Sequence, residues 1–376
     1  MKKLLGVLLV CVLIGACSKQ TPPPTIVKPN AQSISVYGHW IREFDGSVMQ
    51  DSQPSGLLSW RDKLISLSDR SAIPEQRLRL HLINPHTAQL DNQGMPLTLA
   101  DSLATSCFAS YLSDNPDLEA IVNDPHDDTV FYMVTEDASY AAVMSPECQA
   151  KYRDSGATDY PILLVRLQLT TNNTVLMTHV RPIQYAASMQ VGNFPNDGIE
   201  ALAFGKNRTL YLGLEKDLNK QARIFTLQMD KDFWHSDDFA QVNEPQLKLP
   251  HFEHGNHPIN GMDYYQNDVG QEFLIASARN DESLWIIDLA GKRDTRIIKM
   301  EFYAELNADT DNCQDWEKMD NASIEGVAVM DETLWMVNDP WKEVYKKNII
   351  CSQNRPNYEQ YSPLLFNVAI EPSWFE

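Results

Sequence analysis

The chain has 376 residues, and 51 acidic against 31 basic side chains leave a formal charge of −20. Such a surface repels nucleic acid, whose backbone carries the same sign, and attracts divalent cations. Its length and its 43% hydrophobic content are enough for one large or two ordinary domains.

The N-terminus reads as a targeting segment. Lys2 and Lys3 precede an apolar run of about a dozen residues, too short to span a bilayer. Ile14-Gly15-Ala16-Cys17 follows and resembles a bacterial lipobox, in which Cys17 carries the lipid and becomes the mature N-terminus. Residues 1–16 are then the signal peptide. Ser18 after the cysteine, rather than aspartate, is similar to outer-membrane sorting, so a lipid-anchored envelope protein is expected. Residues 17–32 are Pro-rich and read as a stiff tether. No linker-like shift in composition interrupts residues 33–376, which are expected to form one domain.

Those residues repeat a phrase. "DLEAIVNDPHDDTVFYMVTED" (117–137), "DGIEALAFGKNRTLYLGLEKD" (197–217) and "ASIEGVAVMDETLWMVNDP" (322–340) each run acid, strand, loop, strand, acid. Weaker copies are "SGLLSWRDKLISLSDRS" (55–71) and "NGMDYYQNDVGQEFLIASARND" (260–281). The copies open at Ser55, Glu119, Glu200, Asn260 and Glu325, at intervals of 64, 81, 60 and 65 residues. Between copies lie further strand-like runs, rich in β-branched and aromatic residues and bounded by turn formers. They include "YPILLVRLQL", "NTVLMTHVRPI", "ARIFTLQMD", "PQLKLP", "SLWIIDLA" and "TRIIKMEF". Long amphipathic helical patterns are nearly absent. About four strands per unit, repeated around an axis, predict an all-β propeller. Five blades are favoured, and six remain open if the 81-residue interval hides a degenerate unit. "SISVYGHWIREF" (33–44) stands unpaired at the start, while the last unit lacks a fourth strand. The N-terminal strand is therefore expected to close the last blade, which removes an exposed edge.

In such a blade the innermost strand runs antiparallel to the second, so its start lies beside the second strand's end. The opening acids Glu119, Glu200 and Glu325 and the closing acids Asp69, Glu136, Glu215 and Asp339 should then meet at one mouth, with Asn280 at the closing place of the fourth copy. Crowded, partly desolvated carboxylates must protonate, pair with cations or bind metal. Calcium, which takes six to eight oxygen ligands with tolerant geometry, suits the set Asp69, Glu119, Glu200, Glu215, Glu325 and Asp339. Asn260 and Asn280 can add amide oxygens. The plainer reading is that each acid holds neighbouring backbone N–H groups and pins adjacent blades. Arg70, Lys216 and Arg279 follow or precede closing positions. With a cation they suit a phosphate or carboxylate group, unless each simply pairs with an adjacent acid.

The motifs "SGLLSWRDKLISLSDRS", "GIEALAF…TLYLGLEKD" and "IEGVAV…LWMVNDP" resemble those of the phytase-like propeller family with esterase-like activity, over most of the chain from Ser55 on. Glu200, Glu215, Glu325 and Asp339 match that family's acidic mouth, while no catalytic signature of the family is present. The pattern is also similar, more weakly, to calcium-activated nucleotidase propellers. Both resemblances imply hydrolysis of phosphoesters or phosphoanhydrides with calcium as cofactor, on a small phosphorylated or ester substrate. The alternative is a non-catalytic envelope lipoprotein that binds a ligand or protein partner, with calcium structural.

Other features point elsewhere. Cys107, Cys148, Cys313 and Cys351 remain after Cys17, an even number in an exported chain. The pairings Cys107–Cys148 and Cys313–Cys351 are preferred, since each staples one neighbourhood. His251, His254 and His257 lie on a Gly- and Pro-containing stretch and read as loop histidines rather than metal ligands. "DTDNCQDWEKMD" (309–320) lacks the glycine and glutamate of a calcium loop and reads as an acidic surface loop. No Gly-x-Ser-x-Gly elbow occurs. Trp60, Trp285 and Trp335 read as packing residues between blades.

Overall fold

A computed structural model describes residues 33–136, 144–156, 161–192, 198–306, 313 and 315–376. The strand-like runs fold into five antiparallel sheets in chain order. The first contains Pro54–Trp60, Lys63–Ser68, Arg79–Asn84 and Met95–Leu99. The second contains Leu118–Asp124, Asp127–Thr135, Leu163–Leu169 and Val175–Gln184. Ile199–Phe204, Thr209–Leu214 and Arg223–Gln228 make the third. Gly261–Gln266, Glu272–Ala278, Ser283–Asp288 and Arg296–Glu305 make the fourth. The fifth consists of Ile324–Met330, Thr333–Asn338 and Leu364–Ala369, and its outer strand is the N-terminal Ile34–Trp40.

The first strands of the sheets neighbour one another in a closed ring: first to second, third, fourth, fifth, and back to the first. This is the expected propeller. A separate apolar cluster fills each gap between neighbouring sheets. Leu58, Phe131 and Val165 lie between the first and second, and Leu202, Phe225 and Leu164 between the second and third. Trp285 lies between the third and fourth sheets, Phe302 and Phe366 between the fourth and fifth, and Trp335 between the fifth and first. Burial of these side chains, each worth roughly 1.5–3 kcal/mol, holds the sheets face to face. Trp60, Trp285 and Trp335 are all buried, as their strand positions predict.

Near the axis the inner strands pack too closely for a side chain at some positions. A Cβ on Gly56 would lie 3.1 Å from the backbone nitrogen of Ile121, and one on Gly261 would lie 2.6 Å from the carbonyl oxygen of Glu325. Glycine there is required by packing.

The N-terminal strand closes the ring as expected. It pairs antiparallel with Leu364–Ala369, with Trp40 opposite Leu364 and Tyr37 opposite Asn367. Its other edge pairs parallel with Arg296–Glu305, Ile34 opposite Met300, so the fourth and fifth sheets become continuous. The 81-residue interval holds the helix Pro146–Tyr152 and, among the described residues, no further inner strand.

One predicted strand is absent. "PQLKLP" (245–250) is irregular, because Pro245 and Pro250 have no N–H to give a ladder. The third sheet has instead an isolated bridge from Thr226 to Asn243, and Ala240–Gln241 pairs with the outer strand of the second sheet. Both expected disulfides are present, Cys107–Cys148 and Cys313–Cys351, with Cα separations of 5.6 and 6.2 Å. The signal peptide, Cys17 and the tether lie outside the described residues, as does most of 309–314. Among the described residues no helix is long and apolar enough to cross a membrane.

Candidate functional site

The recurring acids have a local structural cause. In four sheets the inner hairpin shifts register at the opening residue, between Pro54 and Gly56, Leu118 and Ala120, Ile199 and Ala201, and Ile324 and Gly326. The residues skipped are Ser55, Glu119, Glu200 and Glu325. A bulge inserts one unpaired residue and re-aims its side chain. The fourth hairpin has no such shift, and Asn260 sits just before its first strand. A second repeated bond fixes the closing acids. The N–H groups of Asp69, Glu136, Glu215 and Asp339 donate to the carbonyls of Gln53, Asp117, Gly198 and Ser323, at 2.9–3.0 Å. Each acceptor lies two residues before an opening position. Opening and closing side chains thus meet at one end of the ring.

They line a funnel of about 480 Å³. All nine residues singled out as ligands or substrate contacts reach it: Asp69, Arg70, Glu119, Glu200, Glu215, Lys216, Arg279, Glu325 and Asp339. So do the anticipated Glu136 and Asn280. Asp117, Asn256, Trp341 and Glu343 also line it, and the sequence reading did not select them. Asp117 stands two residues before the opening Glu119, where the third copy has Gly198, so no repeat marks it. Trp341 and Glu343 follow the last closing acid, where no repeat marks them. Below the mouth the axis narrows to a space of about 10 Å³ among Gly56, Ile121, Leu202, Met262 and Val327, room for about one water.

The acids form two close sets. Ligand oxygens of Asp117, Glu119 and Glu136 lie within 4.8 Å of one another, as do those of Glu136, Glu200 and Glu215. All five side chains are buried. Burial, then the carboxylates of Glu200, Asp117 and Glu136, holds the Glu119 carboxyl well above its usual range. Burial and then Glu200 do the same to Glu136. Burial followed by Glu215 raises Glu200 to about 8. Across the mouth, burial and Asp69 raise Asp339 to about 8, against the pull of Arg279 and Lys342. Burial and Asp117 raise Asp69 to about 6. Without a cation, several of these groups hold protons near neutrality.

Each candidate base meets an acid. Arg70 Nε lies 2.7 Å from Asp117 Oδ2, joining the first and second sheets. Arg279 is paired with Glu325 across the fourth and fifth sheets. Lys216 Nζ lies 3.6 Å from Glu215 Oε1. Some acids also hold backbone, as the plainer reading expected. Glu136 Oε1 accepts from the Gly198 N–H at 3.3 Å, and Asp69 Oδ1 accepts from the N–H groups of Ser71 and Ala72 at 2.5 and 3.2 Å. His257 is a loop histidine, as expected: Nδ1 meets Asp281 at 2.8 Å and Nε2 meets the His254 carbonyl at 2.9 Å.

Buried polar atoms without partners remain here. Oδ1 of Asn256 and Oδ1 of Asp339 have no hydrogen bond, while Asn260, expected to add an amide oxygen, is 1% exposed and is not among the lining residues. Buried polar atoms are ordinarily satisfied, by water or an ion where protein does not serve. An all-oxygen donor set of this kind fits a hard cation.

No family model matches the sequence, and no curated protein matches it. The chain is similar to a putative exo-β-1,3-galactanase from Bifidobacterium bifidum, at 12% identity over 90% of this chain and 94% of that one, with a TM-score of 0.45. It is also similar to a GH43 β-1,3-galactosidase solved with galactodeoxynojirimycin, at 8% identity over 89% and 95%, with a TM-score of 0.47. A PQQ-bound aldose sugar dehydrogenase from Streptomyces coelicolor aligns at 12% identity over 85% and 96%, with a TM-score of 0.39.

Proposed function

We propose that this protein is a lipid-anchored envelope propeller whose acidic funnel holds calcium and hydrolyses phosphate esters, as its phytase-like motifs imply. The observation that carries this reading is the convergence, among the described residues, of nine carboxylates and three basic side chains on one funnel. Asp117, Glu119, Glu136, Glu200 and Glu215 are the residues that would hold calcium. When bound, calcium would supply positive charge to the phosphoryl oxygens and to a water nucleophile. The chain's own part is to orient and to exclude. Arg70, Lys216 and Arg279 line the same funnel and would meet the remaining phosphoryl oxygens, and the narrow axis below would keep the ester at the mouth. Hydrolysis moves the phosphoryl group from the alcohol oxygen to water, and the alcohol leaves with a proton. Two disulfides suit the oxidising compartment that a lipobox implies.

A second reading also rests on a specific observation. Each of the three bases already faces a carboxylate, which suits a non-catalytic module with structural calcium and a bound ligand or protein partner. Metal analysis of purified protein, followed by a phosphatase and esterase panel with and without EDTA, separates the two. Bound calcium and EDTA-sensitive turnover support the enzyme. Bound calcium without turnover supports the binding module, and no calcium overturns both metal roles.

A further inference from the structure

Trp341 is the one aromatic side chain among the described residues lining the funnel. At 38% exposure its indole is open to solvent, whereas Trp60, Trp285 and Trp335 are buried between sheets. Its backbone is fixed. The Trp341 N–H donates to the Asp339 carbonyl at 2.7 Å, and its own carbonyl accepts from Val344 and Tyr345 at 3.0 and 2.9 Å. The next residue, Lys342, ties the loop to the first sheet through the Ser71 carbonyl and Asp51, at 2.7 and 2.9 Å. The Arg279 guanidinium lies 5.9 Å from the indole centroid, so the ring stands beside a base placed to meet phosphate. An exposed apolar ring on a backbone fixed by these bonds, at the rim of a polar funnel, presents a stacking surface.

The surrounding groups narrow what would lie on it. Glu343, Asn256 and Asn280 share the rim with Trp341, and the Asn256 Oδ1 is buried without a partner. Acceptors of this kind match hydroxyl donors, which a hydroxylated ring supplies and a bare aromatic ring does not. The charge balance limits phosphate. Among the described lining residues each of the three bases already faces an acid, so a second phosphoryl group would find no further base to meet it.

From these features we infer that the funnel selects singly phosphorylated, hydroxylated rings, that is sugar monophosphates, with Trp341 as the platform for the ring. This rests on the phosphoester reading and deepens it by naming substrate class and specificity residue.

The test compares glucose 6-phosphate, glycerol phosphate and a polyphosphorylated cyclitol as substrates in calcium, for the native protein, Trp341→Ala and Trp341→Phe. Native protein should prefer glucose 6-phosphate over both others. Trp341→Ala should lower kcat/KM for glucose 6-phosphate about tenfold, mainly through KM, the size expected for one lost ring contact. Glycerol phosphate should change less than twofold, and Trp341→Phe should restore most of the loss. Equal losses on both monoesters, or a preference for the polyphosphorylated ring, would overturn the inference and leave the hydrolase reading intact. If native protein turns over none of the three, the hydrolase reading fails. The inference is then decided by calorimetric titration of glucose 6-phosphate in calcium: binding weakened by Trp341→Ala upholds the platform, and binding that is absent or insensitive to it overturns the platform.

Discussion

The two halves of the funnel carry similar residues and solve the same electrostatic problem differently. Toward the second and third sheets, Asp117, Glu119, Glu136, Glu200 and Glu215 crowd together, with bases only at the margin, Arg70 on Asp117 and Lys216 on Glu215. Toward the fourth and fifth sheets, Glu325 is neutralised by Arg279, and Lys342 lies on Asp51. The first half needs protons or a cation, whereas the second neutralises Glu325 with a base and leaves Asp339 as its one acid raised to about 8. Sequence position alone made Glu200 and Glu325 equivalent, since both are bulged residues opening an inner strand. Their neighbours separate them. The partner across the sheet gap, rather than the position in the repeat, determines what a carboxylate does.

The largest effect should come from breaking the self-neutralised half. Glu325→Gln leaves Arg279 partly buried without its anion, and losing one partner of such a pair costs about 3 kcal/mol. The loss should appear equally in calcium and in EDTA when melting curves are compared. A loss seen only in calcium would make Glu325 a ligand and erase the distinction between the halves.

Next is the pH response of the metal-free protein. Glu200 and Asp339 titrate at about 8 when folded, above the ordinary carboxyl range they return to on unfolding. The folded state therefore binds more protons, and stability falls as pH rises from about 4.5 through 8. In EDTA the midpoint of melting should drop by roughly 5 °C between pH 5 and pH 9. Calcium should remove most of that drop, because binding to the folded state alone stabilises it. A flat profile in EDTA would mean that neither Glu200 in the crowded half nor Asp339 in the other is under charge stress.

Glu200→Gln should have a smaller and conditional effect. Calcium affinity should fall about tenfold, since it follows ligand charge, and melting in excess calcium should fall with it. In EDTA at pH 8 the variant should be at least as stable as the native protein. Calorimetric titration and melting curves measure both, and an equal loss in both buffers would make Glu200 structural. The smallest effect belongs to Lys216→Ala. Its pair with Glu215 is loose at 3.6 Å and Lys216 is partly exposed, so stability should change by less than about 1 kcal/mol.

The ring and its mouth were legible in the sequence because both are written in a repeated phrase. Strand alternation set the hairpins, and the acids at their ends followed from antiparallel pairing. Three things were not legible. "PQLKLP" has strand-like residues, and its prolines decide against a ladder. Asp117 reaches the mouth because the register shift after Leu118 turns the chain there, a backbone event that composition does not encode. Trp341 looks in sequence like the packing tryptophans, and only the turn after Pro340 sends it to the rim.

Closure by the first strand also has a consequence for synthesis. Ile34–Trp40 is the first strand of the ring to be made, and its pairing edges belong to Arg296–Glu305 and Leu364–Ala369. For most of translation, and through any export step, this strand is an open edge waiting for partners some 260 to 330 residues away. Contacts so distant in sequence form slowly. The ring thus closes only once Leu364–Ala369 has been made, and a chain cut short before Leu364 would present its first strand to whatever other strand it met.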